Sequence, residues 1–552
     1  MVTPALDTQI QYYSFKGLNI NMPPDLIADE ELAVAKNILI RKGRIKKRPG
    51  AELVTDFSFG VYGKLYFMGI DTGYGTGNAV FYFYDVDNFN IYASTSLTSL
   101  TERSGVAAIN FVSSVLLDSD ALGTQGPYFL GSVGGVDGIY QLIQNFGPGA
   151  NPTLVSGNVS GFSGSIFTYQ DRMWWYGARD LVFSEPGDYT TIDATSENSV
   201  TLPSNIDAAY PIGDKIVLST AEGIFILTIQ GSPRNWSLTK ISNTYRGYII
   251  TETTRTKSMV QLDQELYFLT PEGLFVTDGT KVQKLSEPIE TEFDQATRSF
   301  PDSVNIGIFS VRNKELLIKI PGNFQDGGNN QLKYYIYSIL EGTWTKLELG
   351  FLTPGGAPIF LPASNHDGLA FYTYDLISFN HLYAETTLSY PAPWTNAATG
   401  QAVTNFSNEL QGLYAMSNWN TNEPNKLYRF PEFEENWDYL DGAIAFISTV
   451  RTKTFDLGYR GAHKKIVKEF FSVDVPTTLT LNFTHIVNNV VGSPITKSIT
   501  PTTRNVKHGG PGYFLEYAME ISDTAVENDG WELQTMSFDI VNKSEQSANS
   551  GV

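Results

Sequence analysis

The side chains that could do chemistry are scattered along this chain. His366, His381, His463, His485 and His508 are its five histidines. None has a partner three or four positions away, the spacing at which two imidazoles on one face hold zinc. There is no cysteine, hence no disulfide and no thiolate ligand or nucleophile. No Gly-x-Ser-x-Gly elbow, phosphate-cradling loop or post-strand Gly-x-Gly-x-x-Gly occurs, and Gly131 to Gly135 reads as a turn. Paired acids such as Glu434-Glu435, or Asp85 with Asp87, are what acid–base hydrolysis would use. A chain with 58 acidic residues makes such pairs by composition alone. Asp85-Val86-Asp87-Asn88 opens like a calcium loop but lacks the Gly and closing Glu that such a loop needs. A hairpin tip over Tyr84 to Asn90 is the simpler reading. The sequence predicts no catalytic residue, no metal, no cofactor, and a chain that is not an enzyme.

One concentrated feature is charge. Arg41, Lys42, Arg44, Lys46, Lys47 and Arg48 crowd six cations into eight positions of a chain whose formal net charge is −20. Alternation along a strand puts Arg44, Lys46 and Arg48 on one face and Ile45 with Lys47 on the other. Such a face suits an acidic protein, either another subunit or a neighbour. DNA contact is the rival, and it would carry a steep salt dependence. A strongly acidic surface repels nucleic acid at long range, and it is also what a conduit needs if DNA must slide without sticking.

The cations sit in GLNINMPPDLIADEELAVAKNILIRKGRIKKRPG, from Gly17 to Gly50. Pro23-Pro24 breaks regular structure. Asp29, Glu30 and Glu31 predict the start of a short helical turn, which Asn37 ends. Ile38 to Arg41 and Arg44 to Arg48 predict two strands joined at Lys42-Gly43, with Gly43 supplying φ > 0.

After Gly50 one phrase recurs, an apolar strand between polar turns. Its second apolar position falls at Leu65, Val115, Met173, Ile216, Leu266, Leu316 and Leu369, a loose period of about fifty. IVLSTAEGIFILTIQ from Ile216 and LYFLTPEGLFVTDG from Leu266 share a Thr-x-Glu-Gly turn, with Gly223 and Gly273 where φ > 0 is tolerated. Strand content at that period predicts a β-propeller of six to eight blades, whose last blade a strand from the other terminus can complete. Gly73 to Gly77 and Gly322 to Asn330 read as hairpin tips, and Thr386 to Asn425 as a long surface excursion plus a last blade that includes Lys426 to Phe430. From Phe446, longer alternating strands predict a C-terminal antiparallel β-sandwich; Asn542 to Val552 reads as a frayed tail. The fold class is all-β, with residues 1–55 as an N-terminal arm and basic hairpin, 56–441 as the propeller and 442–552 as the sandwich. The opening MVTPALDTQIQYYSF has no basic n-region or apolar h-region, and no apolar run reaches the length of a spanning helix.

Three stretches carry a resemblance: the Gly17-to-Gly50 signature, FTYQDRMWWYGARDLVFSEPGDYTTI from Phe167 to Ile192, and RTKTFDLG with KKIVKEFFSVDV. Together they resemble bacteriophage tail nozzle proteins, the tail tubular protein B and tail-accessory hub type of short-tailed phages. In the middle stretch, Arg172 with Trp174 and Trp175 also reads as a possible cation–π contact in a blade hairpin. The resemblance implies a structural virion protein made in the host cytoplasm and built into the tail. It implies a hexameric ring below the head–tail adaptor, packaged DNA passing non-specifically through it, and tail fibres or a tailspike docking on it.

The competing class is a secreted glycan-binding or glycan-hydrolysing propeller. Its Ser-x-Asp-x-Gly-x-x-Trp boxes appear here only as fragments, at Ser364 to Gly368 and Gly342-Thr343-Trp344. A scaffold of the Trp-Asp repeat kind is a third class, with Trp437-Asp438 a single instance.

Overall fold

The computed structural model describes residues 8–56, 65–71, 80–85, 88–94, 100–102, 109–115, 128–133, 136–141, 153–156, 166–170, 172–186, 198–243, 259–262, 264–299, 307–312, 314–321, 332–348, 369–374, 412–417, 426–431, 440–441, 444–455, 463–502, 505–511, 514–524 and 530–542. The chain is all-β there apart from a short helix, Glu290–Ser299, and two 3₁₀ turns. No helix among the described residues is long and apolar enough to cross a membrane.

Among the described residues seven antiparallel four-stranded blades follow one another: six are separate sheets, within residues 65–102, 109–156, 166–201, 206–242, 259–284 and 369–431 (the last completed by 52–56), and the one within 307–347, sixth in order, is the end of a ten-stranded sheet. The first strand of the seventh touches the first strand of the first, so the series closes into a seven-bladed propeller. Closure comes from the N-terminal side: Glu52–Asp56 is the outermost strand of the seventh blade, paired antiparallel with Lys426–Pro431.

The fifty-residue phrase tracks the blades but not one strand of them. Met173, Ile216, Leu266 and Leu316 lie in second strands, whereas Leu65, Val115 and Leu369 lie in first strands. Strands covered on both sides read as alike apolar runs, so the pattern marks the blade without fixing the position inside it. The repeated turns form as the spacing implies. Thr220 and Thr270 accept the N–H of Glu222 and Glu272 at 3.1 and 3.0 Å. Gly223 and Gly273 hold φ of +125° and +136°. A Cβ on Gly273 would lie 2.0 Å from Ser286 Oγ. Between these two blades Val217, Ile224, Ile226, Leu266, Phe268 and Phe275 form one buried cluster.

The sandwich expected from Phe446 is present, but the N-terminal arm is part of it rather than a separate unit. One sheet runs Ile38–Arg41, Arg44–Lys47, Glu532–Asn542, Lys464–Asp474, Asn505–His508, with Thr8–Tyr12 also paired to Glu532–Asn542. The other contains Leu32–Lys36, Thr449–Thr452, Tyr517–Asp523 and Leu479–Val487. Their inner faces meet through Phe471, Phe483, Tyr517, Met536 and Phe538, with the Phe471 and Phe483 rings 4.8 Å apart. The second sheet is continuous with the sixth blade, because Leu32–Lys36 lies parallel to Thr343–Leu347.

The helical turn expected after Glu31 is therefore corrected. Glu31 closes a turn onto Ala28, and Leu32–Lys36 is a strand with a pairing partner on each side. Two ladders outweigh a weak local helical preference. Asn37, expected to end a helical turn, instead follows the end of that strand. It takes φ +54°, a conformation Asn tolerates better than most residues, and passes the chain from one sheet to the other. The tip at Asp85 is a turn in which its carboxylate accepts Asn88 N at 3.1 Å and Asn88 Nδ2 at 2.8 Å. Gly73 to Gly77, Gly322 to Asn330, Ser364 to Gly368, residues 375–411, Glu434-Glu435, Trp437-Asp438 and 543–552 lie outside the described residues.

Candidate functional site: the basic hairpin and its acidic partners

Ile38–Arg41 and Arg44–Lys47 pair as a two-residue hairpin with Lys42 at φ +51° and Gly43 at φ +71°. Two successive left-handed residues match the twist of the flanking strands. Alternation places Arg44 outward and Ile45 and Lys47 inward, with Lys46 half-buried. The six cations do not share one surface.

Arg48 is interior, and every N–H of its guanidinium has an acceptor. Nε donates to Asn37 Oδ1 at 3.0 Å. Nη1 donates to Pro49 O and Asp441 Oδ1, both at 2.8 Å. Nη2 donates to Glu348 O at 2.9 Å and Asp441 Oδ2 at 2.6 Å. The Phe446 ring lies 3.7 Å from its Cζ. Asp441 also accepts Ala51 N at 2.9 Å, one residue before the strand that closes the propeller. Asn37 completes the node by accepting Glu348 N at 2.8 Å and donating to Ile447 O at 2.8 Å. The arm, the end of the sixth blade, the closing strand and the entry to the sandwich meet at this one ion pair.

Lys47 is fully buried, with Nζ 2.8 Å from Asp523 Oδ2. Ser448 N donates to Asp523 Oδ1 at 2.6 Å, and Trp531 Nε1 to Oδ2 at 3.3 Å. Burial pushes the Asp523 carboxyl up despite Lys47 and these donors. Arg41 pairs with the buried Glu315 at 3.0 Å and so ties the hairpin to the sixth blade. Arg44 pairs with Glu532 at 2.9 Å and is about half exposed. Lys46 lies opposite Glu532 in the ladder. Lys42 is exposed, and its backbone N–H donates to Glu341 Oε1 at 2.6 Å.

The expected partner-binding set of Arg41, Lys42, Arg44, Lys46, Lys47 and Arg48 is thus divided. Lys47 and Arg48 are corrected to interior residues, because their charges are spent on buried carboxylates within the chain. The expected face of Arg44, Lys46 and Arg48 is corrected with them, since Arg48 points inward. Asp441, Asp523, Glu315 and Glu532 carry no sequence signal that sets them apart from the other acids. Arg172 stacks over Phe183 and Trp236, at 5.2 and 5.9 Å, rather than over Trp174 or Trp175. Trp344, from the Gly342-Thr343-Trp344 fragment, is a core residue donating to Leu285 O at 3.0 Å. Among the described residues no three His, Asp or Glu side chains converge as metal ligands.

No family model and no curated protein matches the chain. Solved structures do. An arabinoxylan arabinofuranohydrolase of glycoside hydrolase family 43 from Bacillus subtilis matches at 8% identity over 95% of this chain and 99% of that one, with a TM-score of 0.22. An exo-β-1,3-galactanase from Phanerochaete chrysosporium matches at 10% identity over 89% of this chain and 100% of that one, TM-score 0.24. A GH74 enzyme of Niastella koreensis matches at 12% identity over 72% of this chain and 59% of that one, TM-score 0.34. These are glycoside hydrolases, and against them the expectation that this chain is not an enzyme is corrected and withdrawn. At such TM-scores no residue of this chain takes a role from them. What stands, among the described residues, is a seven-bladed β-propeller joined through its N-terminal arm to a β-sandwich.

Proposed function

We propose that the chain is a subunit of a phage tail nozzle, a ring through which packaged DNA passes. In this reading the ring meets a head–tail adaptor on one side and offers fibres or a tailspike a docking surface. The supporting observation is what the signature residues do. Asn37 and Arg48, two of the residues that carry the resemblance, sit in the joint of arm, propeller and sandwich, and Gly43, a third, turns the hairpin tip against the arm. Asn37 and Arg48 form the node itself, and a Cβ on Gly43 would collide with Ser14 at 2.5 Å. In this reading the motif serves the three-part architecture rather than a free surface hairpin. Light scattering tests the reading: a ring gives about six times the chain mass, and a monomer at every concentration overturns it.

A second reading, a glycan-hydrolysing propeller, has the glycoside hydrolases among the matched structures on its side. Incubation with arabinoxylan and β-1,3-galactan decides it. Turnover abolished by a single carboxylate substitution supports this reading; intact polysaccharide after prolonged incubation opposes it.

A further inference from the structure

The third and fourth blades meet at the turns after Ile166–Tyr169 and Ile206–Ile212, where Tyr169 O–H donates to Gly213 O across the seam. Aromatic side chains fill the mouth of this seam. Trp174 and Phe183 are buried, and the half-buried Trp236 of the fourth blade packs on them with ring centres 5.5 and 4.8 Å away. Its indole N–H reaches Gly231 O only at 3.4 Å, longer than an ordinary hydrogen bond. Arg172 lies over Phe183 and Trp236. Unlike Arg48, it has a single acceptor among the described residues for its five N–H donors, Ser184 O at 2.6 Å from Nη1. Burial pushes its guanidinium down from the ordinary value, while the charge of Glu185 pulls it up. Glu185 is exposed, and the buried Asn198 orients it, with Nδ2 donating to Oε1 at 3.1 Å. The other carboxylate oxygen has no donor among the described residues.

We propose that Trp236, Arg172 and Glu185 form a binding site for a neutral hexose unit of a glycan. A pyranose has a face of C–H groups and a rim of hydroxyls, each of which both donates and accepts. The flat indole of Trp236 suits the face, and its N–H is left for a hydroxyl. Open guanidinium donors beside an oriented carboxylate oxygen suit two neighbouring hydroxyls. A few fixed polar groups in an apolar frame are what orient a small ligand. Arg172 and Glu185 balance in charge, and a chain of net charge −20 repels a polyanion, so both favour an uncharged sugar over an acidic one. The site needs neither ring formation nor cleavage of a polysaccharide, and it stands or falls apart from both functional readings.

The test titrates the full chain with cellotetraose, galactotetraose, mannotetraose and chitotetraose, and with tetragalacturonate as the acidic counterpart. Saturation-transfer NMR and tryptophan fluorescence report binding. At least one neutral tetrasaccharide is expected to bind and to change the fluorescence. Trp236→Leu keeps an apolar contact with Trp174 and Phe183 but removes the flat ring, and it should weaken that binding roughly tenfold. Glu185→Ala changes an exposed side chain and should weaken it roughly fivefold with an unchanged melting midpoint. Should Trp236→Leu melt early, Glu185→Ala decides alone. No transfer to any of the four neutral sugars overturns the site. Parent-like affinity in Glu185→Ala overturns it too, as does tighter binding of tetragalacturonate than of every neutral probe.

Discussion

Arg48 and Asp441 stand 393 positions apart in the chain and share two hydrogen bonds, of 2.8 and 2.6 Å, in its interior. One residue ends the N-terminal hairpin, and the other leads from the seventh blade towards the sandwich. Their pairing fastens the closing strand, the sixth blade and the sandwich at one point. Asp441→Ala leaves a buried guanidinium without its counter-charge and should cost about 3–5 kcal/mol. Arg48→Lys should also be damaging, since a point charge cannot serve Asn37, Asp441 and Glu348 together. Melting midpoints and protease sensitivity after residue 431 report the loss. Parent-like melting of Asp441→Ala would remove the node from the account of the fold.

Within the propeller, Leu266→Ala should cost about 2–5 kcal/mol, because Leu266 is fully buried between the fourth and fifth blades. Gly273→Val should damage the same blade through its turn. A branched side chain there meets both a φ of +136° and Ser286 Oγ at 2.0 Å. Denaturant midpoints compare the two with the parent; unchanged midpoints for both would place the fifth blade wrongly.

Glu348 gives the joint a pH dependence. Burial pushes its carboxyl up, but Lys36 and Lys346 more than offset that, and the net shift is below the ordinary value of 4.5. A carboxyl lowered in the fold stabilises above its unfolded value, and that contribution is lost as pH falls through the lowered folded value. The parent should therefore melt above Glu348→Gln at neutral pH, and the gap should begin to narrow as pH drops below about 4.5 and close only below the lowered folded value. A gap that persists or widens in acid contradicts the assignment.

Blades and sandwich strands were legible because each is a local pattern. Apolar runs bounded by turns mark the blades, and period-two alternation marks Lys464–Asp474 and Glu532–Asn542. The joint was not legible. Its acids, Asp441 and Asp523, lie hundreds of residues from their cations, among 58 acidic side chains that look alike in sequence. The strand at Leu32–Lys36 was hidden for the same reason, since both its partners are distant. Alternation did place Lys47 opposite Arg44. Its burial is not legible, because a lysine goes inside only where a counter-charge meets it, and Asp523 is distant in sequence.

The last prediction separates the cations by their surroundings. Arg44→Glu puts like charges beside Glu532 at a half-exposed site, where screening leaves little of the interaction, so the cost should stay within about 1 kcal/mol. Lys47→Ala instead strands Asp523 in a dry interior and opens a cavity beside Trp531 and Phe446. Its carboxyl can partly escape by taking up a proton, since burial already pushes it up. The loss should therefore be large at neutral pH and smaller in acid. Lys47→Met, which fills the space without the charge, should behave alike in pH but lose less overall. Thermal melts of the three variants at neutral and acid pH make the comparison. Equal losses for Arg44→Glu and Lys47→Ala would mean that the two cations share one environment after all.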